Sequence, residues 1–434
     1  MPRDAAATME LSRAYCLGNP AEPQVVPPLP PGSDADQGLD ALSRCTRLKQ
    51  LYLSVPVARA YRFPGSIANL TRLVHLSIAS CSLFQLPEEI SALQALKFLH
   101  LETESLTSLP ESLGSLGNLL DLLLVKCYSL SSLPDTLGQL SKLSRLCAMG
   151  CLEQRILPHA FCSKFGDLLA PITQISSSLE ILELTTCSPH LPEYLGNLTN
   201  LRRLGLLSGS SLTHLPSSLL QLSLLQRLKI RLSSSLCLLP ENLGQLSALE
   251  KIHLFCTNGL RGLPESIGQL RLLRKLELNG CGDVQTLPES LSQCHALRTL
   301  KIANCYSLSC LPQNIHHLTG LQVLSLSWCD NILQLPDSLA LCPSLERLFI
   351  RCCSGLTCLP EEIGSLPRLL ELEVDSCRGI HSLPLSLALL SQLRDGSVVR
   401  VVVKKCCKKA DVDPLIQDMV DEEGVEEVER QRNT

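Results

Sequence analysis

Apolar and polar positions follow a pattern that recurs about every 24 residues along the chain. In one copy, LRTLKIANCYSLSCLPQNIHHLTG from Leu297, the alternation predicts a β-strand with Leu300 and Ile302 facing inward and Lys301 facing outward. The Leu-Pro pair that follows ends the strand, because proline has no N–H to donate to a sheet. The half-repeat xxLGxL then packs its leucines against the back of the strand. Each copy therefore predicts one strand and one return segment.

The Leu-Pro pairs and one Phe-Pro pair set the length of this unit. Fourteen prolines keep one register, with steps of 23 or 24 residues and a single step of 34. They are Pro64, Pro87, Pro110, Pro134, Pro158, Pro192, Pro216, Pro240, Pro264, Pro288, Pro312, Pro336, Pro360 and Pro384. The general pattern, LxxLxLxxCxxLxxLPxxLGxLxx, is that of a leucine-rich repeat. Because no unit buries its own apolar face, the units must stack. We therefore predict an α/β solenoid, a leucine-rich-repeat horseshoe with a concave parallel β-sheet of about 14 repeats.

Four segments follow from where this pattern holds and where it fails. Residues 1–40 contain seven prolines and no repeat, which predicts a disordered, Pro-rich lead-in. The solenoid is predicted over 41–394, with a ten-residue insertion on the convex side within 158–192. A C-terminal capping strand is predicted over 395–410. Residues 411–434, with nine acids and two arginines, are predicted to be a solvated acidic tail.

Composition narrows the classes of function. The chain has 98 leucines in 434 residues, but only 3% aromatic and 18% charged residues, which is unusual for a compact enzyme domain. The net charge of −4 favours neither nucleic acid nor a membrane surface as partner. Asp4 and Glu10 interrupt the window in which a signal peptide has an apolar core, and no stretch is long enough to span a membrane. We therefore expect a cytoplasmic protein.

The cysteines are explained by the repeat. Nine of the 22 occupy its ninth position, where the chain turns out of the strand. These nine are Cys81, Cys127, Cys151, Cys187, Cys281, Cys305, Cys329, Cys353 and Cys377. A buried thiol can donate weakly to the backbone of the turn, whereas Cβ vectors that run parallel between neighbours disfavour disulfides. We predict structural thiols rather than a metal or redox site.

Motifs of catalysis and cofactor binding are missing from the sequence. It contains no GxxxxGK[ST], no GxGxxG that opens a helix and no GxSxG. The pair His316 and His317 has no carboxylate or cysteine at ligand spacing, so it is interpreted as a surface pair. We therefore predict no catalytic residue, cofactor, nucleotide or metal, and a function of surface recognition.

Positions 3, 5 and 7 of each repeat point outward and line the concave face. Across the seventh to eleventh repeats these positions hold seven Lys or Arg and one acid, Glu277. Stacked like charges destabilise a sheet, so the row predicts an acidic protein partner; the alternative is that the cations simply extend into solvent. Exposed aromatics beside arginine are typical of binding hot spots. The predicted partner-binding residues are Arg203, Arg227, Lys229, Arg231, Lys251, His253, Phe255, Lys275, Lys301, Trp328 and Phe349.

The last repeats carry charges of both signs at these positions. Arg347 is followed one repeat later by Glu371, and Arg351 by Asp375. This spacing predicts two ion pairs between adjacent strands, each worth under about 1 kcal/mol.

The segment LPESIGQLRLLRKLELNGCGDVQTLPESL (263–291) resembles the leucine-rich repeats of plant intracellular nucleotide-binding immune receptors. In that family Cys commonly replaces Asn at the ninth position, and LPxxIGxLxxL forms the convex return. The resemblance covers about 48–393. The family's nucleotide-binding module has no counterpart, since no phosphate loop is present. The resemblance therefore implies a disease-resistance-like sensor or scaffold in defence signalling.

Two further interpretations remain open at this point. Ras-binding leucine-rich scaffold proteins are similar in LPxxIGxL but favour Asn where this chain has Cys, and lipidation of Cys406 and Cys407 in KKCCKK would attach such a scaffold to a membrane. A substrate adaptor of a ubiquitin ligase would need a recruiting helix in residues 1–47, where no convincing helix pattern occurs.

Overall fold

The structure is a computed structural model that divides into two compact units, unit 1 (Met1–Gly209) and unit 2 (Ser210–Thr434). The structure describes residues 45–54, 61–79, 83–130, 132–149, 178–186, 189–208, 212–391, 400–406 and 420–421. The predicted lead-in, most of the predicted convex insertion and most of the predicted tail lie outside these residues, as do Cys81, Cys151 and Cys187.

Unit 1 is built on a parallel sheet. Its strands are β1 (Gln50–Ser54), β2 (Tyr61–Arg62), β3 (His75–Ala79), β4 (Leu83–Gln85), β5 (Phe98–Glu102), β6 (Asp121–Val125), β7 (Arg145–Met149), β8 (Ile181–Thr186) and β9 (Arg203–Ser208). Strands β1, β3 and β5 to β9 pair in chain order, and β2 and β4 form a separate two-stranded sheet. In the described part of unit 1, 3-10 helices return the chain between strands at Gly65–Asn69, Glu88–Ala92, Glu111–Ser115, Asp135–Gln139 and Glu193–Asn197.

Unit 2 repeats the same arrangement. Its strands are β10 (Arg227–Arg231), β11 (Lys251–Phe255), β12 (Lys275–Asn279), β13 (Thr299–Ala303), β14 (Val323–Ser327), β15 (Arg347–Arg351), β16 (Glu371–Asp375), β17 (Arg400–Lys404) and β18 (Val420–Asp421), paired in parallel in chain order. The return segments hold 3-10 helices at Ser217–Gln221, Leu243–Gln245, Glu265–Gln269, Glu289–Gln293, Ile315–His317, Asp337–Leu341, Ile363–Ser365 and Leu385–Leu387, and one short α-helix, α1 (Ala388–Ser391). The predicted fold class, a leucine-rich-repeat solenoid on a parallel sheet, is confirmed.

The predicted inward and outward positions are those observed. In β13 Leu300 and Ile302 are 0% and 1% exposed, whereas Lys301 between them is exposed. Leu300 pairs in register with Leu276 on β12 and with Leu324 on β14, both fully buried. The core is therefore a stack of similar aliphatic layers, mostly leucine, in which each layer is completed by its neighbours.

The proline that follows each strand also prepares the return helix. Pro264 has φ −71° and ψ 148°, an extended conformation that proline adopts without strain, and the helix Glu265–Gln269 starts immediately after it. Ile267 of this helix is fully buried, and the N–H of Leu270 closes the helix by donating to the Ile267 carbonyl at 3.0 Å. The return segment predicted from xxLGxL is thus a single 3-10 turn.

The cysteines at the ninth position that the structure describes are buried, as predicted. Cys305, Cys329 and Cys377 are fully buried free thiols, and each donates to the carbonyl two residues before it, at 3.4, 3.5 and 3.4 Å. Cys294 is also fully buried, and burial raises the pKa of its thiol to about 12. These groups act as small polar core residues.

The residue just before each described cysteine at the ninth position has a left-handed backbone conformation. Among them, Asn304 has φ 53°, Trp328 has φ 57° and Gly280 has φ 68°. Asparagine and glycine tolerate this region, but tryptophan does so at a cost of order 1 kcal/mol. The repeat therefore accepts backbone strain at its eighth position in order to turn the chain inward at the ninth.

Two glycines provide a matched test of the stacking of return segments. A Cβ on Gly268 would press against the backbone carbonyl of Ser290 in the next return segment, whereas a Cβ on Gly262 would meet no atom within 4 Å. We expect Gly268→Ala to lower the free energy of unfolding by about 1–3 kcal/mol and Gly262→Ala to change it by less than about 0.5 kcal/mol. Denaturant titration of both variants checks this; equal effects would contradict the observed stacking.

Candidate functional site

The predicted cations of unit 2 lie in rows on the outward face of β10 to β13. The outward face of β10 to β15 is called here the sheet face. Arg227 pairs in register with Lys251, and Lys251 with Lys275. Lys229 pairs with His253, the next strand contributes Glu277 to this second row, and Lys301 follows on β13. Neighbouring strands lie about 4.8 Å apart, so four strands bring these charges within roughly 15 Å. Arg203 lies on β9 in unit 1, where its side chain is exposed.

Glu277 lies among three basic side chains, Lys275 of the first row and His253 and Lys301 of the second. Its carboxylate accepts the Nδ1–H of His253 at 2.6 Å and lies 2.7 Å from the ammonium of Lys275. The ammonium of Lys301 lies 4.0 Å away. The side chain of Glu277 is only 12% exposed, so these contacts are partly shielded from water. One acid thus offsets part of the like-charge repulsion that the sequence placed on this face.

The pKa values of this cluster reflect burial and charge together. Burial lowers the pKa of His253 below its ordinary value, although the carboxylate of Glu277 opposes this shift. For Glu277, burial alone would raise the pKa, but the hydrogen bond from Lys275 and the attraction of His253 hold it below its usual value. The carboxylate is therefore ionised at neutral pH and His253 is mostly neutral.

The other half of the cationic rows is not neutralised. Within the described part of the chain, Arg227, Lys229 and Lys251 form no ion pair shorter than 4 Å. Lys229 and Arg231 are exposed, and Arg227 and Lys251 are half-buried. This end of the sheet face therefore presents uncompensated positive charge to solvent.

The predicted aromatic residues are separated along the sheet. Phe255 is half-buried, stacks on His253 with ring centroids 6.2 Å apart and lies 6.0 Å from the guanidinium carbon of Arg231. Trp328 is 52% exposed in the turn after β14, three strands farther on. Phe349 on β15 lies 5.0 Å from the guanidinium carbon of Arg351. The structure thus places these rings at different points of the surface.

The prediction that Arg347 pairs with Glu371 and Arg351 with Asp375 is wrong, although the residues of each pair do lie opposite each other in register. Glu371 is bonded by Arg400 of β17 at 3.0 Å. Arg351 donates through two nitrogens to Glu373, at 2.6 and 2.5 Å. A longer Glu on the diagonal reaches the guanidinium fork better than the directly opposite Asp375.

An open depression of about 370 Å³ lies on the sheet face between β12 and β15. Four cations line it: Lys275 and Lys301 from β12 and β13, and Arg347 and Arg351 from β15. Ser325 and Phe349 also line it. The sequence analysis pairs Arg347 and Arg351 with acids and therefore does not predict this depression. The signal that could have found it is a group of outward positions without acids, Thr299, Val323 and Ser325, with cations on both sides.

Unit 1 carries an aromatic group on its own sheet that the sequence analysis also missed. The rings of Tyr52 and His75 have centroids 4.8 Å apart, and His75 stacks on Phe98 at 5.6 Å. Phe98 is 38% exposed. Burial lowers the pKa of His75, so this group is uncharged at neutral pH and differs in character from the cationic rows of unit 2.

The two cysteines considered for lipidation divide between described and undescribed residues. Cys406 is half-buried, and its thiol donates to the carbonyls of Lys404 at 3.0 Å and Val374 at 3.5 Å. It therefore occupies the position of the other turn thiols, and Cys407 lies outside the described residues. Across the described ranges, no helix has the length and hydrophobicity to cross a bilayer, and no group of three His, Cys, Asp or Glu could hold a metal ion.

Removal of the Glu277 carboxylate tests the convergence of charges. We expect Glu277→Gln to lower the pKa of His253 further, because the hydrogen bond and the negative charge that oppose the shift are lost. We also expect a loss of about 1 kcal/mol in the free energy of unfolding at pH 7. Since the pKa of Glu277 is depressed in the folded chain, this difference is full above pH 4.5 and shrinks as the pH falls below it.

NMR titration of the His253 ring and denaturant titration at several pH values measure these two effects. Glu241→Gln removes an exposed carboxylate of the same unit and serves as the matched control. A His253 pKa that is unchanged in the Glu277 variant would contradict the described contact.

The comparisons with known proteins agree with this architecture. The family model described as "Leucine-rich repeat region" matches residues 33–170. The chain contains a leucine-rich-repeat region. No curated protein sequence matches the chain.

Solved leucine-rich-repeat structures extend the likeness over most of the chain. A leucine-rich-repeat protein of Leptospira interrogans has a TM-score of 0.56 at 23% identity, with 90% of this chain and 89% of that chain covered. An internalin of Listeria monocytogenes has 0.51 at 16%, with 77% and 94% covered. The Toll–Spätzle complex of Drosophila has 0.53 at 19%, with 83% and 47% covered. At these identities the likeness shows the fold alone, which is one that commonly serves as a protein-binding scaffold.

Proposed function

We propose that this leucine-rich-repeat chain is a non-catalytic recognition module that binds an acidic protein on the sheet face of unit 2. The observation that carries the proposal is the uncompensated charge of Arg227, Lys229 and Lys251. Stacked cations repel one another, and a negatively charged partner relieves that repulsion when it docks. The partner's acids then supply the ion pairs that these residues lack among the described residues.

The aromatic residues supply the second part of the proposed interface. Charge complementarity chiefly sets association rate and register, whereas buried aromatic anchors supply affinity. Trp328 is the anchor with most surface to bury, since half of it is exposed. Phe255 is held beside Arg231 and His253 and offers a smaller, preformed contact. We propose that the partner spans both points.

The cellular setting is part of the same proposal. The resemblance of 263–291 to plant intracellular immune receptors supports a cytoplasmic sensor or scaffold in defence signalling. A recognition module of this kind needs no nucleotide, metal or membrane of its own.

Partner capture with three baits tests the proposal. The baits are the wild-type chain, the sheet-face variant Arg227→Glu with Lys251→Glu, and a control variant Arg271→Glu with Arg368→Glu. The control changes net charge equally at exposed positions in return segments. We expect mass spectrometry to find an acidic protein that binds the wild type and the control but not the sheet-face variant. Retention of the same proteins by all three baits would overturn the proposed surface.

A further inference from the structure

The depression between β12 and β15 has the size and charge of a small anion site. Its volume of about 370 Å³ corresponds to roughly 12 water molecules, which is enough for a substituted side chain but too small for a folded element. All four of its charged lining residues are cations, namely Lys275, Lys301, Arg347 and Arg351.

Two of these cations, Lys275 and Arg351, are already paired with carboxylates and form sides of the depression. The ammonium of Lys275 lies 2.7 Å from the carboxylate of Glu277. Arg351 is bound through two nitrogens by Glu373 and also lies over the ring of Phe349, with 5.0 Å from its guanidinium carbon to the ring centroid. These contacts hold the walls in place before any ligand arrives.

The other two cations retain their charge. Arg347 forms no ion pair among the described residues, because Glu371, its partner in register, is bonded by Arg400 instead. Lys301 lies 4.0 Å from Glu277, but that carboxylate already has closer contacts with Lys275 and His253. The depression therefore presents about two uncompensated positive charges, one on each side.

We propose that the depression binds the phosphate group of a phosphorylated side chain in the acidic partner. A phosphate monoester carries about −1.5 to −2 charges at neutral pH, which matches the two free cations, whereas an Asp or Glu carboxylate carries one. The guanidinium of Arg347 can bind two phosphate oxygens at once. Lys301 lies two strands away and two residues out of register, at a backbone separation of roughly 12 Å, so it can reach the phosphate from the opposite side of the depression.

A protein segment fits this place better than a lipid does. The depression opens on the sheet face beside the cationic rows, so a segment whose acids contact Lys229 and Lys251 continues across β12 toward Arg347. The inference thus rests on the proposed function and deepens it: the partner is recognised in its phosphorylated form.

The test uses the full chain and three fluorescent peptides of one acidic sequence, with phosphoserine, serine or glutamate at the centre. Fluorescence anisotropy gives their dissociation constants. We expect the phosphopeptide to bind at least about tenfold more tightly than both others. Arg347→Gln and Lys301→Gln should each remove most of this preference, so that the phosphopeptide binds about as tightly as the glutamate peptide, while Arg271→Gln, in a return segment, should change nothing.

The outcomes separate the two proposals. If the phosphopeptide and the glutamate peptide bind equally and both are lost in the variant with Arg227→Glu and Lys251→Glu, the phosphate site is overturned and the acidic-partner surface stands. If no acidic peptide binds, both are overturned. If vesicles with a phosphoinositide bind more tightly than the phosphopeptide, and Arg347→Gln abolishes this binding, the ligand is a lipid and the inference is overturned. Arg347 is exposed, so its substitution leaves the core intact.

Discussion

Replacing Arg227 and Lys251 by glutamate is expected to slow association with the acidic partner by about 10- to 100-fold at low salt. The two residues face each other in register on β10 and β11, and each substitution changes the local charge by two units. Together they remove four units of positive charge, which offsets the charges of Arg227, Lys229, Arg231 and Lys251, so the long-range attraction that steers the partner would be largely lost. The variant should fold, because Lys229 and Lys275 lie next to the new carboxylates and can pair with them.

The salt dependence distinguishes steering from simple loss of contact. For the wild type, the association rate should fall as sodium chloride rises, since ions screen exposed charges within about 10 Å at 0.1 M. For the variant this dependence should flatten, because the local charge is then close to zero. The control with Arg271→Glu and Arg368→Glu has the same net charge and should behave like the wild type. Stopped-flow measurements with the purified partner check this, and equal rates for the two variants would contradict steering by the sheet face.

Replacing Leu300 by alanine is expected to lower the free energy of unfolding by about 3 kcal/mol. Leu300 is fully buried, and its layer is completed by Leu276 and Leu324 from the strands on either side. The repeated backbone hydrogen bonds keep those strands apart, so the cavity can collapse only partly. Lys301→Ala, one residue away on the outward face, should change stability by less than about 0.5 kcal/mol.

Denaturant titration followed by circular dichroism measures both variants. Because a solenoid is stabilised mainly by contacts between adjacent repeats, loss of one layer can also broaden the transition as unit 2 begins to unfold in parts. Comparable effects of the two substitutions would contradict the inward and outward assignment of the strand.

The inward positions of the repeat could be predicted from the sequence because strand alternation leaves little choice. The side chains of Leu300, Ile302 and Cys305 are predicted to face inward, and the fixed spacing of 24 residues repeats this orientation in every unit. The register of the cationic rows followed from the same arithmetic. These features depend only on backbone geometry, which the repeat imposes.

The ion pairs could not be predicted in this way. Arg347 was assigned to Glu371 because they face each other, but Arg400 follows an irregular sequence with no repeat register and takes that carboxylate. Whether Arg351 pairs with Glu373 or with Asp375 depends on side-chain length rather than on spacing in the sequence. Long charged side chains have several partners within reach, so their pairing is decided by the full set of neighbours.

Site-specific photo-crosslinking with the bound partner tests the central claim most directly, because it reports where the partner lies. A photoreactive residue is placed on the sheet face at Thr299 or Ser325, and in return helices at Gln221 or Gln293 as controls. The account predicts cross-links from the two sheet-face positions and none from the two controls. Cross-links from Gln221 or Gln293 alone would show that the partner binds the opposite side of the repeats, and would contradict recognition by the sheet face.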